Sequence, residues 1–473
     1  MKLTYDPAAG AAFWESISRL PGYPAGLHQP IRQMLFESDA LLRLSDVLDA
    51  AGARRDQPLV VVWDATPMRR AGEDLKPLIA SLLAGHGWQL RTITLQSDAG
   101  GQVLASMTHV ETVRAALQPG CALLSVGSGV VTDIAKHGSH LYQQETGEHI
   151  PYVVYQTANS VSAFTSNMAP LFVDGVKRTL PSRYPDALVC DLETLRDAPY
   201  EMTAAGVGDM LAPYVSLPDW YLAHQLGMDS TYTPLAERLL GDIGGLYLAE
   251  AQGIRRGQLE SVALLAKTIA LGGLAMSLSH ATTPLSGFEH VMSHLIDLQN
   301  ELLQRPLAAH GSQVALATVI GARLYRHFLD AFDPAELNIE QCYPPAHTME
   351  QVVRSSFAAV DPSGKAGAEC WADYRKKLEA WHTHRADLEN ALRNWHALRG
   401  ELEKRTCAPQ QLLGILEAVG APLRWDALNP PCSEDQVRFA FFNAALMRKR
   451  LTIGDVIIFF GWDRGALWDQ VKA

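Results

Sequence analysis

Residues 125–140 read SVGSGVVTDIAKHGSH, with two glycines around a serine and an aspartate four residues after the second glycine. Just upstream, CALLSVGSG (121–129) is an apolar run that stops in glycine, the pattern of a buried strand entering a Gly-rich turn. The spacing predicts a helix starting near Thr132–Asp133. Glycines at such a junction let the backbone approach an anion, and the first helical N–H groups point at it. The pattern is not G-x-G-x-x-G, because Val130, Val131 and Thr132 follow Gly129 with no third glycine, and it is not G-x-x-x-x-G-K-[ST]. On its own the stretch reads as a phosphate cradle or as a plain tight turn.

The flanking sequence decides what kind of fold carries this loop. PLVVVWDAT (58–66), QLRTITLQ (89–96) and IPYVVYQT (150–157) are strand-like runs. DLKPLIASLLAGHG (74–87) and HVETVRAAL (109–117), between them, have helical spacing. Strands alternating with helices predict a parallel α/β sheet. TANS (157–160) is a second polar turn at a strand end, where open α/β sheets bind ligands. Thr157 and Ser160 also suit helix capping.

After about residue 200 strand-like runs become rare. TPLAERLLGDIGGLYLAEAQ (233–252) and QVALATVIGARLYRHFLDAF (313–332) carry helical apolar spacing, and the charged stretch 370–404 reads as a solvated helix or helical pair. The expected organisation is an α/β domain over 1–198 and an all-helical domain over 199–473.

Composition narrows the class. Of 473 residues, 48% are hydrophobic and 19% charged, which is too apolar for a disordered chain. A net charge of −11 with no lysine or arginine run gives a nucleic-acid role little support. The six cysteines form no C-x-x-C pair and read as reduced thiols in a cytoplasmic protein. The N-terminus has no apolar core of signal-peptide length, and no uncharged apolar run reaches 18 residues, so no membrane span is expected.

The helical half carries a candidate metal set. AAGVGDMLAPY (204–214) places Asp209 after a glycine at the start of a helical pattern, where it also suits an N-cap. SGFEHVMSHLIDL (286–298) puts His290 and His294 on one helix face, and His310 precedes Gly311 and another helix. A carboxylate with two imidazoles can hold a divalent metal with open positions, although H-x-x-x-H also arises by chance in a chain with sixteen histidines.

In this order the motifs resemble the iron-containing alcohol dehydrogenase superfamily, especially its bacterial sn-glycerol-1-phosphate dehydrogenase branch. VGSGVVTDIAK, TANSVSAFTSNMAPLFVDGVKRTLP (157–181), GVGDML, SGFEHVMSH, HGSQVA and RLTIGDVIIFFGW (450–462) carry the likeness from about residue 30 to the end. The resemblance implies a dehydroquinate-synthase-like nucleotide domain and a helical metal domain. It implies NAD or NADP, one divalent metal (zinc, iron or nickel), and a homodimer or larger oligomer. Asp209, His290 and His310 would hold the metal, and His294 would face the substrate. Gly127, Ser128, Gly129, Val130 and Val131 would wrap the cofactor pyrophosphate. Thr157, Ala158, Asn159, Ser160 and Ser166 would line the nicotinamide side, and Asp64 would meet the adenosine ribose.

Two positions depart from the family pattern. Ser162 stands where the family has a substrate-binding aspartate, and Thr283 stands where an arginine usually sits. The implied activity is a metal-dependent, NAD(P)-linked interconversion of an alcohol, such as a polyol phosphate, with its carbonyl. A dehydroquinate-synthase-like cyclase or lyase and a non-catalytic nucleotide-binding relative are the alternatives. Net reduced-nicotinamide formation separates the first from both.

Overall fold

The computed structural model describes residues 3–97, 101–173 and 176–472. The chain divides into two compact units. Unit 1 comprises Met1–Met210, Pro234–Ser279 and Ala418–Gly420. Unit 2 comprises Leu211–Thr233, His280–Glu417 and Ala421–Ala473. Helical character begins near residue 200 as the sequence implies, but the helices of 200–209 and 234–279 pack within the unit that holds the sheet.

Unit 1 is built on a six-stranded parallel sheet. Its strands are β1 (Gln33–Glu37), β2 (Pro58–Asp64), β3 (Gln89–Leu95), β4 (Ala122–Gly127), β5 (Tyr152–Gln156) and β6 (Ala187–Asp191). Their spatial order is β1-β6-β5-β4-β2-β3. β2 and β4 to β6 are covered on both faces, which explains their near-continuous apolar sequence. β1 and β6 are the two strands of this sheet that the sequence reading did not anticipate, although they are as long as β5. The chain leaves β2 for β3 on one side and returns to β4 on the other. Open α/β sheets bind ligands at such a reversal, at the carboxyl ends of the strands. Val62 pairs with Ser125, so Asp64 and Gly127 each lie two residues further on, at the adjacent ends of β2 and β4.

A hairpin of Met168–Val173 and Val176–Pro181 follows β5. The segment 233–252 is two helices, Leu235–Leu240 and Ile243–Arg255. Gly241 adopts φ +59 between them, and Asp242 caps the second. The next helix, Leu259–Leu278, is long and apolar enough to cross a membrane, but 78% of that stretch is buried in the protein. It underlies residues 159–167: Asn159 Nδ2 donates to Val262 O (3.1 Å), and Thr165 Oγ1 donates to Ala270 O (2.7 Å).

Unit 2 is helical around one large apolar core. The charged stretch 370–404 is not a solvated pair. It spans parts of three helices, Lys365–Thr383, Arg385–Arg393 and Trp395–Arg405, that bury one face. Trp381 is 1% exposed, stacks on Phe459 with centroids 4.6 Å apart, and donates to Cys342 O at 2.8 Å. Lys377 is fully buried against Asp455. Charged residues dominate the sequence here because the outward faces of an amphipathic helix outnumber its buried stripe.

Candidate functional site

The loop at 127–129 is tighter than the sequence suggests. The helix starts at Gly129, not near Thr132–Asp133, and Ser128 is its extended N-cap, with a side chain that makes no capping bond. The cause is packing. A Cβ on Gly127 would lie 2.5 Å from Val131 Cβ, and a Cβ on Gly129 would lie 2.5 Å from Val161 Cγ2. Both glycines are needed so that these valines can close over the turn. The first helical hydrogen bond is Thr132 N to Ser128 O, so the N–H groups of Gly129, Val130 and Val131 precede the ladder and suit an anion. Val131 is fully buried, which leaves its backbone as the part suited to a ligand.

Gly127 pairs with Gln156, and Thr157 N donates to Gly127 O at 3.1 Å, which brings the 157–160 turn beside the 127–129 loop. Ser160 Oγ is buried and has no hydrogen-bond partner among the described residues, a hydroxyl available to a ligand. Ala158 and Asn159 are held by protein groups. Gln156 Nε2 donates to Ala158 O (3.2 Å) and to Asn159 Oδ1 (2.8 Å). Ser166 Oγ accepts from Met168 N at 3.1 Å. Asp64 is partly exposed and its Oδ1 accepts Thr66 N at 3.0 Å. Sequence reasoning missed the role of Lys136. It is fully buried and donates to Asp133 Oδ1 (2.8 Å), Ala163 O (2.8 Å) and Met168 O (2.9 Å), tying the helix to the 163–168 segment. Burial pushes the Asp133 carboxyl up, and Lys136 opposes the shift.

A side chain at Gly129 therefore meets Val161 before it meets any ligand. Gly129→Ala is expected to destabilise the fold, and adding Val161→Ala is expected to restore it. The double variant should still bind NAD(H) or NADP(H) at least ten-fold more weakly than Val161→Ala alone by calorimetric titration, about 1.4 kcal/mol. Equal affinity would remove the loop from cofactor binding.

Asp209 is the last residue of the helix Tyr200–Asp209, not the first residue or N-cap of a helix. Pro213 begins the next one, so the pattern over 204–214 is an end followed by a start. Gly206 sets the position: a Cβ there would lie 2.0 Å from Asn159 O. Asp209 is 2% exposed, and its Oδ2 accepts from Ser162 N (3.2 Å) and Ser162 Oγ (3.4 Å). Helix C-termini carry partial negative charge, so a carboxylate there favours a nearby cation.

In unit 2, His290 and His294 project from the helix Phe288–Leu302, and His310 opens the helix His310–Ala331. Their ring centroids are 6.0 Å (290–294), 5.2 Å (290–310) and 5.4 Å (294–310) apart. His290 Nδ1 meets Glu289 Oε1 at 2.9 Å, and His310 Nδ1 meets Ser293 Oγ at 3.1 Å. With Nδ1 engaged, Nε2 is the nitrogen suited to a metal.

Behind this helix start lies Asp219, which the sequence did not flag. It accepts from Tyr325 Oη (2.6 Å), Phe288 N (2.8 Å) and Ile453 N (2.7 Å), joining three helices. Burial, then the Glu289 charge, pushes its carboxyl up to about 8 against those donors. Arg450 reaches the turn at Thr283 from the C-terminal segment, donating to Thr282 Oγ1 (2.7 Å) and Ser286 O. Burial pushes its guanidinium down, and Glu289, Asp229 and Asp219 counter that shift. Arg450 begins RLTIGDVIIFFGW and Glu289 lies inside SGFEHVMSH, so both were in view in the sequence but had no spacing signal of their own.

Residues 35–199 match the family described as iron-containing alcohol dehydrogenase. The glycerol-1-phosphate dehydrogenase [NAD(P)+] of Bacillus subtilis (strain 168) is 31% identical over 297 residues, 61% of this chain and 72% of that protein. The Thermococcus kodakarensis protein of the same description is 30% identical over 268 residues, 56% of this chain and 70% of its own. Among solved structures, a probable glycerol dehydrogenase from Sinorhizobium meliloti 1021 aligns with a TM-score of 0.54 at 16% identity, covering 93% of this chain and 95% of that one. Glycerol dehydrogenase from Schizosaccharomyces pombe gives 0.54 at 13% identity, covering 93% and 90%. Those structures share the fold, and on the family match and the relatives at 30–31% identity the chain belongs to the iron-containing alcohol dehydrogenase family.

Proposed function

We propose that this protein is a metal-dependent, NAD(P)-linked oxidoreductase that interconverts an alcohol and its carbonyl. The substrate is a polyol phosphate such as glycerol 1-phosphate, or a related small alcohol. The observation that carries the reading is the group of three imidazoles at 5.2–6.0 Å, two with Nδ1 already engaged.

In this reading residues 1–198 bind the nucleotide and residues 199–473 carry the metal side chains. Asp209, His290 and His310 hold one divalent ion. A carboxylate with two imidazoles suits zinc, iron or nickel. When bound, the ion supplies Lewis-acid polarisation of the substrate oxygen and NAD(P) supplies the hydride acceptor or donor. The chain's own groups do the positioning. The N–H groups of Gly129, Val130 and Val131, with Gly127 and Ser128, receive the pyrophosphate. Thr157, Ala158, Asn159, Ser160 and Ser166 line the nicotinamide side, with Ser160 Oγ a hydroxyl that has no partner among the described residues. Asp64, at the neighbouring strand end, accepts from the ribose. His294 faces the substrate and exchanges its proton with solvent.

The six cysteines, five of them buried, are thiols rather than disulfides, which supports a cytoplasmic setting. The functional form in this reading is a homodimer or larger homo-oligomer. The test is a panel of alcohols, ketones and aldehydes with added divalent metals, following reduced-nicotinamide absorbance. Stoichiometric formation or consumption of reduced nicotinamide with turnover supports the dehydrogenase. Turnover without net nicotinamide change would replace it with the cyclase or lyase reading.

A further inference from the structure

The residue before the first candidate ligand is built into the protein more rigidly than a helix-start glutamate requires. Glu289 is fully buried. Its Oε1 accepts Gly287 N at 2.7 Å and meets His290 Nδ1 at 2.9 Å. Room for this arrangement depends on Gly287, since a Cβ there would lie 2.6 Å from Asp219 Oδ2 and 2.9 Å from Glu289 Oε2. Asp219 holds the start of the same helix through Phe288 N. An N-cap role alone would use the carboxylate on backbone N–H groups. Here one oxygen is shared between a backbone N–H and an imidazole.

We propose that Glu289 is a positioning residue for His290: its carboxylate accepts the Nδ1 proton, fixes the ring, and presents Nε2 as the ligand nitrogen. The proposal rests on the metal reading above. A carboxylate behind a ligating imidazole holds the tautomer and raises the basicity of the distal nitrogen, and losing it typically weakens metal binding about 10- to 100-fold. Gln at 289 keeps the shape and the Gly287 bond but gives up the charge, so it separates electrostatics from packing.

The test is zinc affinity of the full-length protein, by competition with a chromophoric chelator, for wild type, Glu289→Gln, Glu289→Ala and His290→Ala. Glu289→Gln is expected to bind zinc about ten-fold more weakly and Glu289→Ala up to about a hundred-fold more weakly, at wild-type melting temperature for the Gln variant. Wild-type affinity in a folded Glu289→Gln or Glu289→Ala protein overturns the proposal. If His290→Ala itself binds zinc normally, the metal reading fails first and this inference with it. Should the variants not fold, nitrogen-15 spectra of the wild type decide. A neutral His290 ring protonated on Nδ1 supports the assignment, and protonation on Nε2 in the metal-free protein overturns it.

Discussion

Purified Asp209→Ala, His290→Ala and His310→Ala proteins are expected to contain less than a tenth of the wild-type metal and to lose at least a thousand-fold in kcat/KM. A Lewis acid on the reacting oxygen contributes several kcal/mol, and about 4 kcal/mol corresponds to roughly a thousand-fold in rate. The structural reasons differ by residue. Asp209 is fixed by Ser162 at the end of its helix, so its removal takes away a preset carboxylate. His290 and His310 are each held from behind through Nδ1, so neither position tolerates replacement by a mobile side chain. Elemental analysis, with circular dichroism to confirm folding, provides the measurement. Stoichiometric metal in all three folded variants would place the ion elsewhere.

Weak turnover of dihydroxyacetone phosphate is the second large effect expected. The family's aspartate at position 162 would give a polyol hydroxyl a charge-assisted bond, and Ser162 cannot. Its hydroxyl and N–H are both directed at Asp209 Oδ2, so the polar atoms at this position already serve the carboxylate. Ala163 follows and adds no acceptor side chain. At the other departure Thr283 carries no charge, and although Arg450 reaches this turn, its guanidinium is already engaged with Thr282 Oγ1 and Ser286 O. Loss of one charge-assisted bond of about 1.5–3 kcal/mol lowers binding roughly ten- to a hundred-fold. A different small alcohol, ketone or aldehyde should therefore give the higher kcat/KM. Steady-state kinetics across the panel check this. A value of about 10⁴–10⁸ M⁻¹s⁻¹ on dihydroxyacetone phosphate would show that Ser162 leaves the family substrate unchanged.

Particular elements show how far the sequence reaches. β2, β3, β4 and β5 were legible within one to three residues: β2, β4 and β5 because burial on both faces forces apolar runs, and the more exposed β3 by its alternation. β1 and β6 were not, although at five residues each they are no shorter than β5. The histidine helices were legible because i, i+4 spacing is local. The start of the helix after Gly127 was misjudged by three residues, because Val161, more than thirty residues away, decides that Gly129 must lie inside the turn.

The sequence by itself determined the alternation of strands and helices, the Gly-rich turn at the end of β4 and the helix that carries His290 and His294. These follow from covalent spacing and from the apolar periods of helix and strand. Only the tertiary structure decided what stands behind those residues. Asp219 joins two helix starts and the middle of a third helix across more than two hundred residues, Lys136 ties its helix to the 163–168 segment, and Gly206 makes room for Asn159 O. Contacts of this kind depend on which surfaces meet after folding, and a buried carboxylate or a missing Cβ looks the same in the sequence whether or not it has a partner. That is why Glu289, one residue from a recognised histidine, became informative only when its oxygen was seen shared between Gly287 N and His290 Nδ1.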